Sequence, residues 1–268
     1  MLRKGLIPTA PIQRLKLDSV TLCAASSSNV PATVAALQES MAQIDFGKVL
    51  LFTHVSAAEL GLPTDHAIRV VPVARITSSV AYSRFILQEL VHHITTSHCL
   101  VAQWDGHVID AGRWRSEFLD YDYIGASWPQ FDDGHNVGNG GFSLRSKRMM
   151  QACLAPHFDL HHPEDIAICR TNRALLNDAG MQFAPAHLAD AFSAERSGDP
   201  ASTFGYHGVF LMPRVLGADR FWDLYKGLDD RGTLWLDFLP ILRRLRHPAR
   251  MAAFMNDWRV ERRAARTR

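Results

Sequence analysis

Four separated stretches of the 268-residue sequence carry side chains that could do chemistry. Asp105 stands in "QWDG", directly after an apolar run and before a glycine. An acidic side chain so placed can hold a divalent cation together with a diphosphate, because hard cations take oxygen ligands and fill their other positions with phosphate and water. Asp-Gly is equally the mark of a plain turn. "PEDIAICR" sets Glu164 and Asp165 behind Pro163 at a predicted helix start. There the pair either steadies the helix dipole or aims one carboxylate into a cleft as general base on a hydroxyl. His207, bracketed by glycines in "FGYHG", is either a packed, hydrogen-bonded histidine or a metal ligand.

The fourth stretch is "NVGNGGFSLRSKRMM", with Gly138, Asn139, Gly140, Gly141 and Phe142 at its centre. It is not a dinucleotide fingerprint, which would read G-x-G-x-x-G between the first strand and its helix, nor a Walker loop, which would end in G-K-[ST]. What is left is nearly side-chain-free backbone before a short strand "FSLR", open to close approach by a ligand or another chain segment, or a β-bulge.

These residues need elements to position them, and the first half of the chain supplies an alternating pattern. "SVTLCAAS" predicts a buried strand. Asn29 then caps a helix with Val30, Val34, Leu37, Met41 and Ile44 on one face. "KVLLFTH" and "IRVVPV" predict two more strands. Ser78 and Ser79 open a long helix with Tyr82, Phe85, Ile86, Leu90 and Ile94 on one side, and "HCLVAQW" is a fourth strand. This order implies an α/β domain with a mostly parallel sheet covered on both faces. The second half is broken by prolines and a long loop. The expected division is an N-terminal extension over 1–18, the α/β domain over 19–215, and C-terminal helices with a basic tail over 216–268.

Ligands of open parallel sheets sit beyond the carboxyl ends of the strands. That rule raises the functional weight of Ser26, Ser27 and Asn29 after the first strand, of Tyr82 and Arg84 in the helix after the third, and of Gln103, Trp104 and Asp105 after the fourth.

Composition sets outer limits. With 47% hydrophobic and 21% charged residues the chain has enough apolar matter for a folded core. No signal-peptide-like run or stretch of about 18 apolar residues is present, so a cytosolic chain is expected. Four dispersed cysteines lack zinc or disulfide spacing and read as buried free thiols. From Ile241 onward nine arginines face only Asp257 and Glu261, so this tail carries about +7 on a body of about −5 within a total of +2. A basic tail of this kind is either a solvated terminal helix or a peripheral contact to the inner face of an anionic membrane. Without aromatic interleaving or a nucleic-acid motif, no nucleic-acid partner is expected.

Taken in order, the Asp after the fourth strand, the glycine loop, the Glu-Asp pair and the late His resemble the shared core of the GT-A fold glycosyltransferases. Blocks such as "FLDYDYIGASWP", "VGNGGFSLRSKRMM" and "PEDIAICR" look like those of a poorly characterised family of unknown function found in polysaccharide-associated proteins and grouped with these transferases. The resemblance implies a Rossmann-like GT-A domain that moves a hexosyl or N-acetylhexosaminyl group from a nucleotide-sugar donor to a hydroxyl of a glycan or other acceptor, in polysaccharide biosynthesis. It assigns Asp105 and His207 to Mn²⁺ or Mg²⁺, although the family's Asp-x-Asp is here reduced to Gln103-Trp104-Asp105. It assigns proton removal to Asp165, with Glu164 beside it and inverting stereochemistry. The Ser26–Asn29 turn and the Tyr82–Arg84 helix would receive the nucleotide, with Arg84 near the diphosphate. Trp128 and Phe142 would either stack on a sugar ring or belong to the core. Two other classes fit the same architecture: a catalytically silent nucleotide- or glycan-binding module and a metal-dependent nucleotidyltransferase.

Overall fold

The computed structural model describes residues 14–266, with side chains to 263. Most of the expected N-terminal extension, and the last arginine of the tail, lie outside the described residues. In chain order the strands are β1 (Leu15–Ala25), β2 (Ile44–Thr53), β3 (Ile68–Pro72), β4 (His98–Ala102), β5 (Gly106–Val108) and β6 (Tyr123–Ile124). They are followed by β7 (Ala126–Ser127), β8 (Val137–Gly138), β9 (Phe142–Ser146), β10 (Ser193–Ala194) and β11 (Gly205–His207). The helices are α1 (Val30–Met41), α2 (Ser79–Arg84), α3 (Lys147–Ala152), α4 (Glu164–Ile166), α5 (Arg173–Asp178), α6 (Ala186–Phe192), α7 (Met212–Val215), α8 (Ala218–Lys226), α9 (Phe238–Leu242) and α10 (Pro248–Arg266).

The central sheet has the order β3-β2-β1-β4-β9-β6. β3, β2, β1 and β4 are parallel neighbours, and β9 runs against β4 and β6 on either side. The apolar runs divide by parity, as a two-fold strand period requires. Leu22 and Ala24 of β1, Val49 and Leu51 of β2 and Leu100 and Ala102 of β4 face the core beneath α1 and α6. Cys23, Leu50, Phe52, Cys99 and Val101 face the opposite core, which holds Ile86, Leu90 and Ile94 of the helix that begins as α2. Both faces of the sheet are therefore covered, and the chain is a single α/β domain on a mostly parallel sheet. All four cysteines are buried free thiols.

Two local expectations are corrected. Ile44 does not extend the face of α1 but opens β2, paired with Leu15. Asn29 precedes α1 in the left-handed conformation (φ 51°) and makes no side-chain cap. Its amide Nδ2 donates to Asp230 O (2.7 Å), and its Oδ1 accepts from the backbone N–H groups of Asp229 and Asp230, each at 3.0 Å. The competing tertiary hydrogen bonds won over the local cap. Asn29 thus staples the end of β1 to a loop two hundred residues away.

That staple fastens the C-terminal helices to the domain. Phe221, Tyr225, Leu234, Ile241 and Phe254 share one core with Ala32 of α1 and Tyr206 of β11. Trp258 of α10 stacks on Phe238, with ring centroids 4.6 Å apart. Among the described residues no helix is long and apolar enough to cross a membrane.

Candidate functional site

A cleft of about 690 Å³ opens at the carboxyl ends of β1 and β4. Its walls are polar. Ser26, Ser27 and Ser28 come from the end of β1, and Arg75, Ser78 and Ser79 from the approach to α2. Tyr82, Gln103 and Trp104 form the floor, Glu164 and His162 one side, and Asp229 and Asp230 the rim. Gln103 Nε2 donates to Tyr82 Oη (3.0 Å), and Ser27 Oγ accepts from Ile76 N (2.8 Å), so the three strand ends are cross-linked.

Arg84 does not reach the cleft. It is exposed two positions beyond Tyr82, which turns it about 200° around the helix. Arg75, in the loop before α2, is the basic residue on the cleft wall, and nothing in its local sequence marks it.

The glycine loop is the wall between the remaining groups. Backbone N of Gln103 donates to Gly141 O at 2.9 Å, which fixes the loop against the end of β4. Asn139 takes φ 73°, with its Oδ1 accepting from Gly141 N (2.9 Å) and its carbonyl accepting from Tyr123 Oη (2.9 Å). The glycines are bare because other groups fill the space of their side chains. A β-carbon on Gly140 would lie 2.1 Å from Glu164 Oε1, one on Gly141 2.0 Å from His207 Nε2, and one on Gly138 2.0 Å from the Trp128 ring. Gly140 and Gly141 form a bend between β8 and β9, and the loop seats Glu164 against the first glycine and His207 against the second.

Beside Gly140, Glu164 is buried, with Oε2 accepting from Ser83 Oγ (3.2 Å) and Oε1 3.4 Å from Arg145 Nη2. Arg145, which sequence reasoning missed, is wholly buried in β9. Its Nη2 donates to Gly140 O (3.3 Å) and its Nε to Ser143 Oγ (3.0 Å), and its guanidinium lies over the Tyr123 ring. Burial opposes its charge, but Tyr123 and Glu164 outweigh that cost and keep it protonated. Asp165 points the other way. Its Oδ2 accepts from Gly140 N (3.1 Å) and its Oδ1 from Ile166 N (2.8 Å). Burial, and then the neighbouring Glu164, raise its carboxyl to about 6. The pair is divided between two environments: Glu164 lines the cleft, while Asp165 stands behind the glycine loop.

Beside Gly141, β5 and β11 pair antiparallel, with His207 opposite Gly106, and this places the imidazole beside Asp105. His207 Nε2 is 3.4 Å from Asp105 Oδ1, and Nδ1 is 3.2 Å from Glu195 Oε1. Burial works against charge on this ring, but Asp105 and Glu195 prevail, and its pKa lies well above the ordinary imidazole value. Asp105 is 6% exposed, and its Oδ1 is buried without a hydrogen bond. That oxygen faces the charged imidazole, so a divalent cation held between Asp105 Oδ1 and His207 Nε2 would take the place of the ring proton and complete its shell with phosphate and water. Among the described residues no three His, Cys, Asp or Glu side chains converge as a complete metal cage. Glu195 cannot be a third ligand because it sits on the far nitrogen.

Phe142 and Trp128 do not form a sugar platform. Phe142 is fully buried and stacked on Phe192, and Trp128 is buried against Gly138 and Phe131. In each case the ring is packed in the apolar core, where most buried aromatics are found.

Among solved structures, the chain overlays on the mannosyltransferase PcManGT from Pyrobaculum calidifontis in complex with GDP-Man and Mn²⁺. The TM-score is 0.46 at 9% identity, covering 93% of this chain and 78% of that one. It overlays on the bifunctional IspDF from Campylobacter jejuni with TM-score 0.39 at 8% identity, covering 62% of this chain and 48% of that one. The 4-diphosphocytidyl-2C-methyl-D-erythritol synthase from Anaerococcus prevotii gives 0.39 at 9% identity, covering 63% and 88%. No curated protein matches the sequence. The family described as a protein of unknown function, DUF5672, matches residues 65–207, more than half of the chain and the whole stretch from Arg75 through the glycine loop to His207, and the chain belongs to that family.

Proposed function

We propose that the chain is a glycosyltransferase of GT-A type that moves a sugar from a nucleoside-diphosphate sugar to a hydroxyl of a glycan or similar acceptor. The observation that carries the reading is the glycine pair: the side-chain space of Gly140 is taken by Glu164, which lines the polar cleft beyond the strand ends, and that of Gly141 by His207, which faces Asp105 just outside the cleft lining.

The serines of the β1 and α2 loops offer hydroxyl and backbone donors to a nucleotide, and Arg75 offers the positive charge for its phosphates. Asp105 Oδ1 and His207 Nε2 would hold a divalent cation, Mn²⁺ or Mg²⁺. When bound, such a cation stabilises negative charge on a departing diphosphate. Of the two carboxylates Glu164, on the cleft wall, is placed to take the proton of the attacking hydroxyl, whereas Asp165, which the resemblance picks as the base, accepts from Gly140 N and Ile166 N behind the loop and positions that loop. The basic C-terminal segment brings the domain to a membrane surface that carries the acceptor.

The test is a split between binding and turnover. Glu164→Gln is expected to bind nucleotide sugar nearly as the parent does and to lose transfer by about a hundredfold or more. Unchanged turnover removes Glu164 from the role. Pyrophosphate release from a nucleoside triphosphate would instead identify a nucleotidyltransferase.

A further inference from the structure

The segment from Gly232 to His247 has two unlike faces. Leu234, Asp237, Ile241 and Leu245 are buried, whereas Leu236, Leu239, Pro240, Arg243 and Arg244 are exposed. Spacings of three and four residues put each set on its own side of a helical path. Leu236 is 84% and Leu239 55% exposed, an unusual position for two leucines on one short segment. Arg243, Arg244 and Arg246 follow at once, all exposed and none with a salt bridge among the described residues.

The acidic groups nearby are turned inward. Asp237 pairs with Arg196 (2.8 Å), and Asp257 accepts from Tyr225 Oη (2.6 Å) and lies 3.1 Å from Arg231. Glu261 accepts from the indole of Trp235. The carboxylates that could neutralise this face are therefore spent inside the fold, and the outer surface keeps leucine side by side with unpaired arginine. On α10, Arg259, Val260 and Arg262 repeat the combination, with Val260 56% exposed.

We propose that this face lies on an anionic membrane surface, with Leu236 and Leu239 entering the headgroup region and Arg243, Arg244 and Arg246 meeting lipid phosphates. Exposed apolar side chains beside basic ones, with no spanning helix among the described residues, are the pattern of an interfacial contact. The contact gives a place and residues to the membrane delivery in the proposed function, but it stands on this face alone and not on catalysis.

The experiment is co-sedimentation of the full chain with vesicles of phosphatidylcholine, with and without phosphatidylglycerol, over a salt series. Binding is expected only to the anionic vesicles, weakening as salt rises. Arg243→Gln/Arg244→Gln should weaken partitioning by about thirtyfold, at about tenfold per 1.4 kcal/mol and about 1 kcal/mol for each arginine. Leu236→Gln/Leu239→Gln should also lose binding, and both double variants should keep the parental melting temperature and nucleotide-sugar binding. Equal partitioning onto neutral and anionic vesicles, absence of binding, or binding unchanged in both variants overturns the proposal. So does a concentration-dependent dimer, dissolved by Leu236→Gln/Leu239→Gln, which would assign the face to a second copy. Lost vesicle binding with intact transfer, and the converse, separate this proposal from the catalytic one.

Discussion

Gly140 and Glu164 occupy one space: a β-carbon on the glycine would lie 2.1 Å from the carboxylate oxygen Oε1. Gly140→Ala must therefore displace Glu164 or bend the loop, and overpacking of this kind costs about 1–3 kcal/mol. A displacement near 1 Å at a reacting centre is expected to reduce turnover by about a hundredfold. Gly141→Ala, whose β-carbon would meet His207 Nε2 at 2.0 Å, should instead abolish the metal-dependent part of nucleotide binding. Calorimetric titration of nucleotide with and without Mn²⁺ on both variants checks the pair. The same effect from both substitutions would contradict the assignment of the two glycines to separate groups.

Asp165 predicts a pH dependence of stability. Burial, and then the neighbouring Glu164, raise its carboxyl to about 6. A folded-state pKa above the ordinary Asp value of about 3.9 means that the group's favourable contribution is full below about 4 and is lost as pH rises through about 6. Asp165→Asn should therefore be more stable than the parent at pH 8 and gain nothing at pH 4. The upper bound is about 3 kcal/mol, reduced by whatever the hydrogen bonds from Gly140 and Ile166 lose. Urea denaturation at the two pH values decides it, and equal differences at both would be the adverse result.

Arg145 ties β9 to the glycine loop and to Glu164 without touching the cleft, so it acts as a positioning residue. Arg145→Met leaves the Glu164 carboxylate and the Gly140 carbonyl buried without their partner. Removing one member of a buried pair costs about 3–5 kcal/mol. Adding Glu164→Gln should restore part of that stability, since the unpaired charge is then gone. A double variant as unstable as the sum of the singles would show that the two residues are not coupled.

Glu195 holds the Nδ1 side of His207 and leaves Nε2 toward Asp105. Carboxylates behind a ligating histidine typically support metal affinity by about tenfold to a hundredfold. Glu195→Gln should lower Mn²⁺ affinity by that factor in a paramagnetic titration, while metal-free nucleotide binding stays near parental. Unaltered affinity would make Glu195 a structural partner only.

The parallel sheet was legible because β1, β2 and β4 are buried on both faces, and a strand of that kind writes itself as an unbroken apolar run. That Asp105, the glycine loop, Glu164–Asp165 and His207 lie close together was legible too, from their types and their places at strand and helix ends. What the glycines make room for was not. A bare backbone signals close approach without saying what approaches: Glu164 lies 24 positions after Gly140, His207 66 after Gly141, and Trp128 10 before Gly138, across a loop. Arg145 in "FSLR" carried no signal, since an arginine in a short strand ordinarily faces water, and only pairing on both edges of β9 buries it. Asn29 misled for a related reason: it stands at a cap position, but its hydrogen bonds go to Asp229 and Asp230, which no local window contains.

The most direct test of the account is a thermal-shift titration of nucleoside-diphosphate sugars against the parent chain and Asp105→Asn, each with and without Mn²⁺. A donor at about 100 times its dissociation constant adds about 2.7 kcal/mol, which for a chain of this size raises the melting temperature by roughly 5–10 °C. The account predicts such a rise for at least one nucleotide sugar, dependent on Mn²⁺ and absent in Asp105→Asn. No shift with any nucleotide sugar in the presence of Mn²⁺, or a shift that Asp105→Asn retains, would contradict it.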